Sequence, residues 1–197
     1  MTRLLIVGPQ GSGKGTQGVR IAQAFGIPAI STGDVFRAAV ADGSPLGEQV
    51  KAVIDAGSLV SDELTGAVVR ERLSQQDAAD GFLLDGYPRN IAQVSNLDEF
   101  LEGRGESLDA VIELEVPREE SIARLTRRAA EQGRADDTDE VIANRLAIYE
   151  RETAPILDVY RTRGVVDRID GVGSLDEITA RIIAALEARG LVRVAAV

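Results

Sequence analysis

The chain has 197 residues, 44% of them hydrophobic and 4% aromatic, which suits one core built mainly from Val, Ile, Leu and Ala. A net charge of −10 argues against nonspecific nucleic-acid binding, so an anionic ligand must be met by local arginine clusters working against the overall field. With no cysteine and no histidine, disulfides, Cys/His zinc sites and imidazole or thiolate catalysis are excluded.

The first element is the apolar run Arg3–Val7, which reads as a buried strand. Gly8-Pro9-Gln10-Gly11-Ser12-Gly13-Lys14-Gly15-Thr16-Gln17 follows it, and then the helical spacing of Val19, Ile21, Ala22 and Phe25. A glycine-rich turn between strand and helix gathers backbone N–H groups at the positive end of a helix dipole. Phosphate binds such a nest, and glycines let the backbone approach it closely. Lys14 adds a point charge for outer phosphates. The general P-loop pattern has Ser or Thr directly after the lysine; here Gly15 intervenes and the hydroxyl comes at Thr16.

Further strands are expected at Ala29–Ile30, Phe82–Asp85, Ala110–Glu115 and Val165–Ile169, with helical patterns between and after them. This alternation predicts an α/β fold of three layers, a central parallel sheet of about five strands flanked by helices, as in P-loop NTPase-like cores. Ligands of such sheets sit at the carboxyl ends of strands, where both the glycine loop and Asp85 fall. Two segments read as insertions. One is 31–60, helical with turn signals at Asp42-Gly43-Ser44-Pro45 and Gly57; the other is 127–137, dense in Arg, Gly and Asp. The core of this single domain is then 1–30, 61–126 and 138–189, and the tail 190–197 is expected to be partly disordered. No apolar run approaches the length of a bilayer span, and a cytoplasmic protein is expected.

More segments carry a resemblance. The chain contains Ile30-Ser31-Thr32-Gly33-Asp34-Val35-Phe36-Arg37, then Phe82-Leu83-Leu84-Asp85-Gly86-Tyr87-Pro88-Arg89 with Gln93 four residues on. Gly133-Arg134-Ala135-Asp136-Asp137 and Asn144-Arg145-Leu146 follow. With the Gly-Lys-Gly-Thr-Gln ending of the glycine loop, and in this order, they resemble the adenylate kinase family of short-lid nucleoside monophosphate kinases over residues 1 to about 189. The resemblance implies MgATP + AMP ⇌ 2 ADP by direct phosphoryl transfer, in a monomer serving adenine nucleotide homeostasis. It implies an ATP site at Gly11, Ser12, Gly13, Lys14, Gly15 and Thr16, with Arg124, Arg128 and Gly173. It implies an AMP site at Thr32, Arg37, Ser58, Leu59 and Val60, and at Gly86, Tyr87, Pro88, Arg89 and Gln93, with Arg134 and Arg145. Lys14, Arg89, Arg124, Arg134 and Arg145 would carry catalysis. Thr16 and Asp85 would hold Mg²⁺ mainly through water, with no zinc. Segment 31–60 becomes an AMP-binding arm and 127–137 a lid.

The chemistry of these residues has to be weighed against plainer roles. Ser31, Thr32 or Asp34 could cap a helix, and Arg37 could be a solvated charge. An Asp closing a buried strand is unusual for packing alone, whereas Mg²⁺ keeps its waters and uses few carboxylates. Arg89 offers a forked contact to phosphate, and Gln93 both a donor and an acceptor for a base edge. Arg124 and Arg128, four residues apart, share a helix face. Arg118, Arg127, Arg151, Arg161 and Arg163 read as solvated charges pairing with nearby carboxylates, as Asp136 and Asp137 would pair. Gly173 is either an ordinary turn or part of the ATP-base site. Two rivals share the fold: a UMP/CMP kinase, against which Thr32 and Gln93 both argue, and a nonenzymatic nucleotide sensor, against which the intact set Lys14, Asp85, Arg89, Arg134 and Arg145 argues.

Overall fold

The computed structural model describes residues 1–132 and 138–194. A five-stranded sheet of β1 (Thr2–Val7), β2 (Ala29–Ser31), β3 (Gly81–Asp85), β4 (Ala110–Glu115) and β5 (Val166–Asp170) has the order β2-β3-β1-β4-β5. All pairings are parallel, with Leu5 of β1 opposite Leu84 on one side and Val111 on the other. Each strand lies within a residue of its expected bounds.

A parallel sheet needs crossover connections, and those here cover both faces. Side chains alternate along each strand, so β1 sends Leu5 and Val7 to one face and Leu4 and Ile6 to the other. The first face packs Val69 and Leu73 of α4 (Asp62–Leu73), Val94, Leu97 and Leu101 of α5 (Ile91–Glu102), and Ile156, Leu157 and Tyr160 of α8 (Ala154–Thr162). The second packs Ile21, Ala22 and Phe25 of α1 (Lys14–Phe25) and Ile178, Ile182 and Leu186 of α9 (Leu175–Ala188). Glu113 of β4 is buried, and Arg161 donates to both of its carboxylate oxygens at 2.8 Å.

The first expected insertion is a helical hairpin, α2 (Thr32–Ala41) and α3 (Pro45–Asp55). Ser31 and Ser44 cap these helices by accepting from the N–H groups of Asp34 and Gly47, and Pro45 sits in the first turn of α3, where no partner for its missing N–H is needed. Residues 127–132 continue α6 (Arg118–Gln132), and α7 (Asp139–Ile148) follows with Thr138 as its cap. The span 133–137, with Arg134, Asp136 and Asp137, lies outside the described residues.

Between α7 and α8 the helix widens into one π turn, Tyr149–Thr153. Pro155 explains it: proline lacks an N–H and crowds the preceding turn, and a wider turn relieves both. Within the tail, residues 191–194 make contacts with the core. Leu191 packs on the second core face, and the N–H of Val194 donates to the carbonyl of Ala24 at 3.0 Å. Among the described residues, no helix is long and apolar enough to cross a membrane.

Candidate active site

The loop after β1, the start of α2 and the turn after β3 meet at the carboxyl edge of adjacent strands and open into one cleft of about 870 Å³. That volume is at the upper end for small-molecule sites.

On one side lies the glycine loop. Gly13, with φ of 93°, precedes Lys14, the first residue of α1, so the orphan N–H groups of the first helical turn face the cleft. Gly11 is required twice over: its φ is 80°, and a Cβ there would lie 2.5 Å from the carbonyl oxygen of Ser121 and 3.0 Å from Leu125. The Lys14 ammonium donates to the carbonyl oxygens of Gly8 (2.7 Å) and Pro9 (2.9 Å). Burial lowers its pKa to about 8; Asp85 works against that shift, while Arg89 and Arg128 add to it.

Asp85 closes β3. Burial pushes its carboxyl up, and Lys14 and Arg89 pull it back down. Gly86 follows with φ of 84°, and a Cβ there would come within 2.7 Å of the Thr32 hydroxyl. Its carbonyl oxygen accepts from Thr32 Oγ1 at 3.0 Å and from Arg89 Nε at 2.8 Å. The Tyr87–Pro88 peptide bond is cis. Burial lowers the pKa of Arg89, Asp85 raises it, and Arg145 and Arg37 lower it further. Lys14, Arg89 and Arg37 thus all act on the Asp85 carboxylate. Arg37 pairs with Asp34.

Two contacts fix Arg89 from behind. Thr153, in the π turn, donates from Oγ1 to the Arg89 carbonyl at 2.8 Å, and the Arg89 N–H donates to Gln93 Oε1 at 2.8 Å. Gln93 is 2% exposed at the base of the cleft, and its Nε2 donates to Asp62 Oδ1 at 2.7 Å.

At the opposite end Arg124 pairs with Glu120 and donates to the carbonyl oxygens of Gly171 (3.0 Å) and Ser12 (3.4 Å). These bonds take it to the seam between the glycine loop and the turn that leads to Gly173. Gln17 and Thr179 tie α1 to α9 beneath that turn through bonds of 3.0 Å to the Leu175 carbonyl and 2.8 Å between their side chains.

The cleft brings together Gly11, Ser12, Gly13, Lys14, Gly15 and Thr16; Thr32, Arg37, Ser58, Leu59 and Val60; Asp85, Gly86, Pro88, Arg89 and Gln93; and Arg124, Arg128, Arg145 and Gly173. Tyr87 stands between two cleft residues, but its side chain turns away from the cleft. It is 3% exposed and belongs to the core under α4 and α5 rather than to the cleft wall. Its neighbours Gly86 and Pro88 do line the cleft, so the backbone between them turns this one side chain inward. Arg134 lies outside the described residues. Arg118, Arg151 and Arg163 pair with Glu150, Glu152 and Asp98, while Arg161 pairs with the buried Glu113. Arg127, read as solvated, stands on the cleft wall although exposed.

Sequence reasoning missed Tyr149 and Thr153 on the cleft wall, and Asp62 behind Gln93. Asp62 reads as an ordinary acidic residue in a first helical turn. Thr153 carries a weak signal, a polar residue two before a proline inside a helical pattern. Among the described residues, no group of three or more His, Cys, Asp or Glu is arranged to hold a metal ion.

The family model of adenylate kinase matches residues 6–165. An adenylate kinase of Clavibacter michiganensis subsp. michiganensis is 58% identical over 191 residues, covering 97% of this chain and 96% of the relative. One from Leifsonia xyli subsp. xyli is 56% identical over 188 residues (95% and 94%), and one from Kocuria rhizophila is 54% identical over 187 residues (95% and 100%). The chain belongs to the adenylate kinase family.

Proposed function

We infer that this protein is an ATP:AMP phosphotransferase, transferring the terminal phosphoryl group of ATP directly to AMP and giving two ADP. The observation that carries this reading is that Lys14 of the donor loop and Arg89 of the acceptor turn line one cleft, with the Asp85 carboxylate facing both.

In this reading each residue takes a role suited to its position in the cleft. The loop N–H groups and Lys14 hold the donor phosphates, and Arg124 and Gly173 frame the donor base. Arg37 and Arg89 hold the AMP phosphate, while Thr32, Gln93 and the 58–60 segment take the adenosine. Lys14 and Arg89 then bring the attacking oxygen in line with the terminal phosphorus, and Arg128 and Arg145 neutralise charge as the group transfers. Arg134 belongs to the same set on the family resemblance.

The residues present fit Mg²⁺. Asp85 is a buried carboxylate beside the donor loop, Thr16 lines the same wall, and Mg²⁺ is bound by few protein oxygens plus phosphate and water. When bound, it supplies positive charge to the donor phosphate oxygens.

Closure over the two nucleotides keeps water from acting as acceptor, and adenylate kinases are a standing example of such lids. The proposal assigns this motion to the 31–60 arm and the 127–137 lid. Asn144 Nδ2 donates to the Ala56 carbonyl at 3.0 Å, so the foot of the arm already touches α7. A monomeric, cytoplasmic protein is part of the same proposal.

The test is ADP formation from Mg²⁺ and ATP with AMP, CMP, UMP or GMP as acceptor. AMP should be strongly preferred. Preference for CMP or UMP would overturn the base assignment, and no diphosphate from any acceptor would overturn the enzyme reading.

A further inference from the structure

Gln93 is the residue that reads the acceptor base in the function proposed above, and an amide is an ambiguous reader. Rotated by half a turn it exchanges its donor and its acceptor while keeping its shape. Adenine presents an acceptor at N1 and a donor at its 6-amino group. A 6-oxopurine presents the reverse, a donor at N1 and an acceptor at O6. An amide free to rotate would therefore accept both.

The structure removes that freedom. Gln93 Oε1 accepts from the Arg89 backbone N–H at 2.8 Å, and Nε2 donates to Asp62 Oδ1 at 2.7 Å. A backbone N–H can only donate and an ionised carboxylate can only accept. Rotating the amide would set its NH₂ against the N–H and its oxygen against the carboxylate, in a site where Gln93 is 2% exposed and water cannot compensate. Asp62 Oδ1 also accepts from Asn90 Nδ2 at 2.9 Å, and Asn90 Oδ1 accepts from the Gln93 N–H at 2.9 Å. The carboxylate thus fixes both the side chain of Gln93 and the cap that holds its backbone. One N–H and one acceptor position of the amide remain, in the sense that adenine requires.

We propose that Asp62 is a specificity-determining positioning residue: it locks the amide orientation of Gln93 and so makes the acceptor site select 6-amino over 6-oxo purine nucleotides. The proposal rests on Gln93 as the base reader.

The experiment compares kcat/KM for AMP and IMP in the wild type and in Asp62→Ala, Asp62→Ser, Asp62→Asn and Gln93→Ala, with thermal unfolding of each. Serine keeps a polar residue in the first turn of α4 but is too short to reach the amide, so it stands in if the alanine variant does not fold. Removing the lock should lower the AMP-to-IMP ratio about tenfold or more, through KM with kcat for AMP changed less. Asp62→Asn, whose oxygen can still accept from Nε2, should restore the ratio. A merely structural Asp62 would weaken both nucleotides alike. An unchanged ratio in Asp62→Ala or Asp62→Ser, with a lowered ratio in Gln93→Ala, would overturn the lock. An unchanged ratio in Gln93→Ala would instead overturn the base-reading role beneath it.

Discussion

The hydroxyl of Thr153 donates to the carbonyl oxygen of Arg89 at 2.8 Å, joining the turn after β3 to the π turn between α7 and α8. The helix that carries Arg145 and the turn that carries Arg89 are thus held in one frame, although they are far apart in sequence. Thr153 is 8% exposed, so water is a poor substitute for the bond.

Thr153→Val keeps the shape and removes the donor. The lost bond should cost about 1 kcal/mol in the positioning of Arg89, or about fivefold in KM for AMP, with KM for ATP unchanged. Steady-state kinetics with each substrate varied in turn check this.

Lys14 gives a pH signature. Its folded pKa of about 8 lies below its ordinary value of 10.5, so the amine loses its proton as pH rises through 8. A bound polyphosphate raises that pKa, because an adjacent anion favours the charged form. ATP binding at pH 8.5 should therefore take up protons, and affinity should weaken as pH rises. Calorimetry in two buffers of different ionisation enthalpy measures the uptake, and Lys14→Met should abolish it. For the nucleotide-free protein the sign follows from linkage: the unfolded state binds more protons between pH 8 and 10.5, so Lys14 makes stability rise with pH across that window.

Gly11→Ala should be severe. A Cβ 2.5 Å from the Ser121 carbonyl oxygen cannot be absorbed by a side-chain rotation, and the φ of 80° strains any L residue. We expect a stability loss of about 2 kcal/mol or more and loss of ATP binding, read by thermal unfolding and titration. Gly13→Ala meets no atom within 4 Å, only an unfavourable φ of 93°, and should cost less.

The fold was legible because β1, β3 and the start of β4 are short apolar runs covered on both faces, and the edge strand β5, Val-Asp-Arg-Ile-Asp, still follows a helical pattern and a turn signal. Most of the cleft was legible because its residues cluster in the loop after β1 and the turn after β3. What was hidden depends on juxtaposition. Asp62 matters because α4 brings it to Gln93, thirty-one residues away, and the sequence shows only an acidic first turn. Thr153 matters because Pro155 widens a helix, where the local pattern suggests only a break. The Tyr87 side chain packs into the core although Gly86 and Pro88 on either side line the cleft, a turn of direction that the motif alone does not show. Arg124 shares a helix face with Arg128, but its bonds to the carbonyls of Gly171 and Ser12 join segments that spacing alone does not bring together.

The central claim is that donor and acceptor phosphates meet between Lys14 and Arg89. Its most direct test is Arg89→Ala, measured for both turnover and ATP binding. The account predicts that kcat/KM for AMP falls by about a thousandfold, as expected when a forked phosphate clamp is removed, while the Kd for ATP stays within about threefold of wild type. Unchanged turnover, or an equal loss of ATP binding, would contradict it.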